Sequence, residues 1–397
     1  MISGRRHVTR GAEMILQGIE TGYPRHVHRM AVGVLFFLPG LCFASWASRI
    51  PSIQSRLGLG EAALGLVLLA LPAGSLVALP LAGWWVGRKG SAWVALAALA
   101  CYAAALVGLG LAGSLATLLP VLFLFGFAGN VVNIAVNTQA VGVELLYGRS
   151  VMAAFHGLWS LAGFCAAGVG AGMIGAGVSP LPHFLGVSLF MLAALAACAR
   201  FLLADPPVSV GAGRVFAMPD RELLALGLMA FCCMICEGAM FDWSGVYFQK
   251  VVNANPDWVG SGYAAFMAAM ASGRFLADGL TRRFGLRRVF QVSGVLIATG
   301  LALAVALPRL PTALLGFMLV GLGVSSVVPL VYGVAGRSRT MPAGMALAAV
   351  SSIGFLGFLL GPPLIGLVAG VATLRGSFSL IALLGLGVAV LGSRRAA

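Results

Sequence analysis

Twelve long apolar stretches follow one another along this chain of 397 residues, separated by short polar segments. An α-helix needs about 20 apolar residues to cross the hydrocarbon core of a bilayer. Hydrophobic residues make up 60% of the chain and charged residues only 9%, whereas charged residues make up about a quarter of a soluble domain. The pattern predicts an all-α membrane protein with twelve transmembrane helices embedded in a lipid bilayer, so that both termini lie on one side.

The net charge of +14 gives the predicted helices an orientation. Of the 25 Lys and Arg residues, nineteen lie in the terminal segments and even-numbered loops, five lie in odd-numbered loops, and Arg274 lies inside the eighth stretch. Lys and Arg accumulate in cytoplasmic loops, so we predict that the N- and C-termini are cytoplasmic. The same distribution argues against a nucleic-acid partner, because the basic residues follow the topology.

The longest polar connection divides the chain into two sets of six stretches. It is rich in Pro and Gly, as linkers are. We predict a basic N-terminal arm at residues 1–28, a six-helix bundle at 29–203, a cytoplasmic linker at 204–221 and a second six-helix bundle at 222–397. The arm has no apolar core after its arginines and does not resemble a signal peptide; Met14 and Met30 are alternative start positions.

The two halves repeat each other at a nearly constant offset. Gly65 corresponds to Gly260, and Gly90, after the second stretch, corresponds to Gly285, after the eighth. Internal repeats are common in secondary transporters, in which the substrate site lies at the repeat interface near the middle of the membrane. The repeat therefore predicts a site between the two halves.

A basic motif follows the second stretch and returns after the eighth. It resembles the loop motif Gly-x3-Asp-Arg-x-Gly-Arg of the major facilitator superfamily, although Gly87 and Arg282 replace the family's Asp in the two copies. In that family the loop helps to close the cytoplasmic side during alternating access. The resemblance implies a gating role for Gly83, Arg88, Gly90, Arg274, Asp278, Arg282 and Gly285. The alternative is that their charge only holds the topology.

The resemblance to this superfamily covers residues 30–392. Segments such as Ala44–Pro51 and Glu237–Trp243 also resemble a bacterial branch of rhizopine-cluster membrane proteins. The resemblance implies two six-helix repeats, a small-molecule substrate and a multi-pass location in the bacterial cytoplasmic (inner) membrane, and we expect a monomer. It also implies that the first, fourth, seventh and tenth helices line a central cavity.

Two acidic residues, Glu237 and Asp242, lie inside the seventh apolar stretch. A carboxylate at this depth costs several kcal/mol unless it is protonated, paired or hydrated, so it indicates function. Five residues advance a helix by about 7.5 Å and about 140°, so one acid is expected to face the cavity and the other a neighbouring helix. We predict Glu237 as a proton carrier and Asp242 as a gate or substrate partner; the alternative is a structural pair.

Arg49, at the outer end of the first stretch, is a candidate gating partner for one of these acids. The alternative is that it extends to the outer interface. His156, in the fifth stretch, is a candidate for the proton path, since imidazole titrates near neutrality; a hydrogen bond at the interface is its alternative role.

The fourth stretch carries three asparagines on one helical stripe. Asn130, Asn133 and Asn137 supply donors and acceptors without charge, which suits the hydroxyl groups of a sugar, cyclitol or similar solute. Hydrogen bonding between helices is the alternative. In the tenth stretch, Ser325 and Tyr332 form a smaller polar set for the same cavity.

Trp46 and Trp243 occupy related positions in the two halves and are candidates for stacking on a ligand or for anchoring at the interface. A cysteine cluster lies beside Glu237, but no second ligand cluster accompanies it. We therefore interpret these cysteines as packing residues and predict no metal site. The cluster consists of Cys232, Cys233 and Cys236.

The chain contains no P-loop and no nucleophile elbow, so we predict neither ATP-driven transport nor an enzyme, and no cofactor. We predict a secondary active transporter that moves a small polar solute by alternating access, with proton symport. The Gly-Pro motif of drug antiporters is missing from the fifth stretch, which favours uptake. The alternatives are a proton antiporter that exports amphipathic compounds and a membrane solute sensor that does not transport.

Overall fold

A computed structural model describes residues 22–148, 151–204, 220–335, 338, 340 and 343–393, without the side chains of Ala153, Asp278, 343–345, 347 and 348. Most of the predicted N-terminal arm and linker therefore lie outside the described residues. The described residues form twelve long helices: α1 (Arg25–Leu57), α2 (Glu61–Lys89), α3 (Ser91–Leu111), α4 (Leu115–Tyr147), α5 (Met152–Gly175), α6 (Pro180–Cys198), α7 (Arg221–Lys250), α8 (Ser261–Phe284), α9 (Leu286–Ala306), α10 (Leu310–Ala335), α11 (Ala343–Val371) and α12 (Leu374–Ser393). The prediction of an all-α fold with twelve helices is confirmed.

Eleven of the described helices are long and apolar enough to cross a membrane. The remaining helix is α8, whose last three turns contain Arg274, Arg282 and Arg283. Arginine in a membrane-spanning helix is expensive and usually functional. The helix that departs from the apolar composition is therefore the one whose polar residues need an explanation.

Local sequence signals explain several helix ends. Asp220 precedes α7, and its side chain accepts a hydrogen bond from the backbone N–H of Leu223 at 2.8 Å. Ser114 and Thr117 form a capping box at the start of α4, which satisfies backbone donors that the helix leaves free. Helix α2 is continuous except for a break at Leu69, which separates Glu61–Leu68 from Ala70–Lys89.

The helices form two bundles. Helices α1–α6 pack mainly against one another, as do α7–α12, and the bundles meet chiefly along three pairs: α5 with α8, α2 with α11, and α1 with α7. We call the face containing Gly90 and Gly285 the basic face, and the opposite face, containing Gly58 and Lys250, the far face. Helix α11 packs closely against Glu61–Leu68 and much less against Ala70–Lys89. Helices α2 and α11 therefore meet on the far face and diverge toward the basic face.

The repeat extends to the backbone conformation. Gly90 ends α2 with φ 80° and ψ 149°, and Gly285 ends α8 with φ 80° and ψ 155°. This region of backbone space is open almost only to glycine. The two turns on the basic face therefore have the same geometry, as expected from the sequence repeat.

Replacing Gly285 with Ala is expected to destabilise the protein by about 1–3 kcal/mol, because a Cβ atom is strained at this φ. Gly90→Ala should cost a similar amount. Gly279→Ala is the matched control on α8: a Cβ added there meets no other atom within 4 Å and the backbone is helical, so this change should be neutral or slightly stabilising. Thermal unfolding in detergent measures the difference; equal effects of Gly285→Ala and Gly279→Ala would contradict the strain argument.

Candidate functional site

A cavity of about 350 Å³ lies between the two bundles. Residues of α1, α2, α3, α4, α5, α7, α8 and α11 line it. The expectation that α1, α4 and α7 face the cavity agrees with this geometry, but α10 contributes no described lining residue. Ser325 and Tyr332 therefore do not form part of the cavity wall; Ser325 is buried and its hydroxyl donates to the carbonyl oxygen of Leu322 at 2.6 Å.

Glu237 lies in the cavity wall with a cation beside it. Its Oε1 is 3.5 Å from Nη2 of Arg274, on α8. Nη1 of the same guanidinium donates to Oγ of Ser160, on α5, at 2.8 Å. Since α5 belongs to the first bundle and α7 and α8 to the second, Arg274 joins the two bundles at the cavity.

Arg274 lies in the cavity wall and not in the basic loop, although the resemblance to the loop motif implied a role there. The guanidinium lies inside the cavity, ten residues before the end of α8 at Phe284. The criterion that singled out Glu237, a charged group inside an apolar stretch, applies equally to this arginine. The sequence therefore contained the signal for an acid–base pair, but the resemblance to the loop motif obscured it.

Asp242 also lines the cavity. Within the described chain its carboxylate takes part in no hydrogen bond and no ion pair. The expectation that one acid faces the cavity and the other a neighbouring helix is wrong, because Glu237, Phe241 and Asp242 all contribute to the wall. The cavity therefore covers more than one face of α7.

Two of the three asparagines reach the cavity. Asn130 and Asn133 line it, whereas Nδ2 of Asn137 donates to Oδ1 of Asn133 at 2.9 Å, outside the wall. Oδ1 of Asn130 is buried and accepts no hydrogen bond from any described group. This oxygen has almost no accessible surface, so a ligand in the cavity would meet it only after the Asn130 side chain turned.

Aromatic rings form the wall next to the acids. The ring of Phe241 lies 5.3 Å from that of Phe43, 6.1 Å from that of Trp159 and 6.3 Å from that of Phe358. His156 lines the cavity one turn before Ser160, and its ring is 5.2 Å from that of Phe36. Most of this cavity surface is therefore apolar, with a few polar groups that can orient a ligand, as is usual for small-molecule sites.

Arg49 does not meet either acid in this structure. It is 2% exposed, and its Nε donates to Nδ1 of His183, on α6, at 3.1 Å. Helix α1 continues to Leu57, well past the end of the predicted stretch, so Arg49 lies about two turns inside the helix instead of at its outer end. The alternative position at the outer interface is therefore wrong, and the pair with an acid is not formed in this conformation; a gating role for Arg49 stays a prediction.

The positions of the two related tryptophans also differ from the prediction. Trp46 is 1% exposed and Trp243 is fully buried, and neither lines the cavity. The indole of Trp46 packs 6.3 Å from the ring of Phe125. Both side chains fill the interior of the protein away from this cavity, and a role in stacking on a ligand stays a prediction.

The remaining residues of the loop motif lie at the basic face. The guanidinium of Arg88 lies 4.8 Å from the centre of the Trp84 ring, and Arg282 is exposed. Gly83 lies in the last turns of α2 with open space beside it. The side chain of Asp278 lies outside the described residues, so the gating role implied for it stays a prediction.

The far face is closed by backbone contact between the bundles. A Cβ atom on Gly65 would lie 2.6 Å from the carbonyl oxygen of Pro362, and one on Gly366 would lie 2.7 Å from Cα of Gly65. Beside this contact, Nζ of Lys250 is 2.7 Å from Oε1 of Glu61. Both contacts join α2 to the second bundle on the far face.

Gly65→Val is expected to favour conformations in which the far face is open. The added side chain overlaps backbone atoms, so α2 and α11 must separate; overpacking of about 1–3 kcal/mol shifts a two-state ratio about 5- to 150-fold. Spin labels at positions 60 and 371, both exposed, measure the separation in a variant without the native cysteines.

Gly186→Val is the control for this substitution, because a Cβ on Gly186 meets no atom within 4 Å. It should leave the label distances unchanged. An unchanged distance distribution in Gly65→Val would mean that the contact between α2 and α11 does not hold the far face closed.

Comparison with known proteins agrees with this architecture. A model of the Major Facilitator Superfamily matches residues 32–338, and a second match covers residues 226–395. A bacterial homologue of the human lysosomal transporter Spinster, in an inward-facing and unoccupied conformation, has the same fold with a TM-score of 0.76 at 14% identity, over 94% of this chain and 97% of that one. A mutant of the nucleoside transporter NupG has a TM-score of 0.75 at 15% identity, over 92% of this chain and 98% of that one.

Sequence relatives cover nearly the whole chain. An uncharacterized MFS-type transporter of Yersinia pestis is 35% identical over 94% of this chain and 96% of its own length. The membrane protein MosC of Rhizobium meliloti is 32% identical over 89% of this chain and 86% of its own length. The chain is thus a multi-pass membrane protein that belongs to the Major Facilitator Superfamily.

Proposed function

We propose that this protein is a proton-coupled symporter that moves a small polar solute by alternating access. The observation that carries the proposal is the contact between Glu237 and Arg274 in a cavity between two repeated bundles, with Ser160 of the other bundle on the same guanidinium. An acid that exchanges a proton and a cation that connects the bundles are the two parts that coupling requires.

Protonation of Glu237 removes the negative charge that attracts Arg274. The guanidinium then keeps its hydrogen bond to Ser160 across the bundle interface but loses its ionic partner on α7. Because α5 and α8 pack along this interface, the charge on Glu237 is coupled to how the two bundles are held together. A proton can thus change the relative free energies of two conformations, which is what ion coupling requires.

The basic face is proposed to be cytoplasmic, because most Lys and Arg residues lie in loops assigned to that face. With this orientation the structure, closed at Gly65 and Gly366, corresponds to an inward-facing conformation of a protein in the bacterial inner membrane. Residues 29–203 and 222–397 are proposed as the two bundles that move against each other. A monomer suffices for this mechanism, since the cavity lies within one chain.

Export in exchange for protons is a second candidate. The aromatic wall formed by Phe43, Trp159 and Phe241 suits amphipathic compounds as well as polar ones. Symport and antiport differ in the direction of proton movement when a solute gradient is imposed, so one measurement separates them.

The test uses the full chain reconstituted in proteoliposomes with a pH-sensitive dye inside. An inward solute gradient should acidify the lumen in symport and make it more alkaline in antiport. Empty liposomes are the control for leakage. If no member of a broad panel of sugars, cyclitols, amines and amphipathic compounds moves protons or enters the vesicles, the transport proposal is wrong and a solute sensor is favoured.

A further inference from the structure

We infer that the transported solute is a protonated amine that also bears hydroxyl groups, and that Asp242 binds its ammonium group. That the solute is transported rests on the proposed function, but binding of the amine to Asp242 does not require transport. It names the chemical class of ligand that fits the charge and shape of the cavity.

The charges of the cavity wall do not balance. The wall contains two carboxylates, Glu237 and Asp242, and one guanidinium, Arg274. Arg274 is engaged with Glu237 at 3.5 Å, and Asp242 has no ionic or hydrogen-bonding partner among the described residues. When both carboxyl groups are ionised and His156 is neutral, the wall has an excess of one negative charge. A carboxylate removed from water is strongly favoured by a cation that can also donate hydrogen bonds.

Aromatic rings in the same cavity wall as Asp242 favour an organic cation. Phe241 precedes Asp242 in the chain, and its ring contacts those of Phe43 and Trp159 in the same wall. Aromatic rings attract an ammonium group within about 6 Å of their centres, and Trp does so most strongly. A metal cation would instead require several oxygen ligands around it, whereas an alkylammonium ion uses one carboxylate and the ring faces.

The asparagines of α4 favour hydroxyl groups on the same ligand. Asn130 and Asn133, one turn apart on α4, both line the same wall, and their amides can exchange hydrogen bonds with hydroxyl groups. The asparagines belong to the first bundle and Asp242 to the second. A solute with an ammonium group at one end and hydroxyl groups at the other therefore contacts both bundles at once, and a cavity of about 350 Å³ accommodates a molecule of monosaccharide size.

The ammonium site and the proton site are separate. Glu237 and Asp242 are five residues apart on α7, about 7.5 Å along the helix. One proton and one amine can be bound together, which is the condition for symport. If both ligands had to use the same carboxylate, each would displace the other and the coupling would be exchange.

The experiment measures thermal stability of the purified full chain in detergent with matched solutes at neutral pH. The set contains glucosamine, glucose and N-acetylglucosamine, which share one ring but differ in charge, and 2-amino-1,3-propanediol with glycerol. We expect dose-dependent stabilisation by an amine and none by its uncharged counterparts. Asp242→Asn should weaken amine binding about 10- to 100-fold, the loss expected for a charged hydrogen bond. Glu222→Gln is the matched control, because Glu222 lies exposed on the same helix outside the cavity.

Three results would overturn the inference: stabilisation by uncharged members equal to that by the amines, amine binding unchanged in Asp242→Asn, or no stabilisation by either amine. If Asp242→Asn loses its fold, Asp242→Glu keeps the test valid, because it retains the charge and should retain preference for the amines. Failure of the transport proposal looks different, since amine binding would then persist without proton movement in proteoliposomes. Conversely, coupled uptake of uncharged solutes alone would support transport and reject the amine.

Discussion

Glu237→Gln is expected to abolish solute accumulation driven by a pH gradient. Glutamine has nearly the same shape as glutamate but exchanges no proton, and it removes the negative charge that lies 3.5 Å from Arg274. One pH unit supplies about 1.4 kcal/mol per proton, which corresponds to about tenfold accumulation in a one-proton symporter. The variant should therefore equilibrate solute across the membrane without concentrating it.

The measurement compares two assays on the same proteoliposomes. Uptake against a gradient, with an imposed pH difference, reports coupling; exchange of labelled for unlabelled solute at equal pH reports binding and conformational cycling. We expect loss of the first and retention of the second. Glu222→Gln, on the exposed first turn of α7, should retain both. Solute-dependent proton movement that survives in Glu237→Gln would show that another group carries the proton.

The fold followed from the sequence because bilayer spanning is a simple physical requirement. Each helix must be long and largely apolar, and the twelve predicted stretches located the twelve helices of the described chain, although α8 is more polar than the other eleven. Their ends were less predictable: α1 continues to Leu57 because its outer turns pack inside the protein, where polar residues can be part of a helix. That extension moved Arg49 from the predicted interface into a buried contact with His183.

The sequence identified those residues of the site whose charge is energetically costly inside a membrane. It did not identify the common residues that reach the site only through tertiary packing. Glu237 and Asp242 were identifiable because acids at bilayer depth are energetically costly and usually functional. The hydroxyl of Ser160 and the rings of Phe43 and Phe241 gave no such signal, since serine and phenylalanine occur in many membrane helices. Their role depends on which helices cross at the bundle interface, and that is a property of tertiary packing.

The site also shows how the repeat was modified. The turns at Gly90 and Gly285 have kept the same backbone conformation, while the acids have no acidic counterpart in the first half. The position related to Asp242 lies near Ser45, a buried serine whose hydroxyl donates to the carbonyl oxygen of Leu41 at 2.7 Å. The symmetric parts belong to the scaffold, and the asymmetric charges lie where the cavity is.

Arg274→Gln is expected to destabilise the protein, and a second substitution should reverse the effect. Removing the guanidinium leaves Glu237 at the cavity wall without its cation; the two side chains are 22% and 12% exposed, so we expect a cost of about 1–3 kcal/mol, less than for a fully buried pair. The uncompensated carboxylate can be neutralised by a proton, and that becomes more costly as the pH rises, by up to about 1.4 kcal/mol per pH unit. The loss of thermal stability should therefore increase with pH.

The double variant Glu237→Gln/Arg274→Gln contains neither charge, so its stability should return toward that of the wild type and should lose the pH dependence. Coupled transport should not return, because neither the proton carrier nor the cation is present. Arg282→Gln is the matched control on α8, since Arg282 is exposed at the basic face, and it should change stability little. If the double variant is no more stable than Arg274→Gln, the two residues do not act as a pair, and the coupling between the proton and the bundle interface must be sought elsewhere in the cavity.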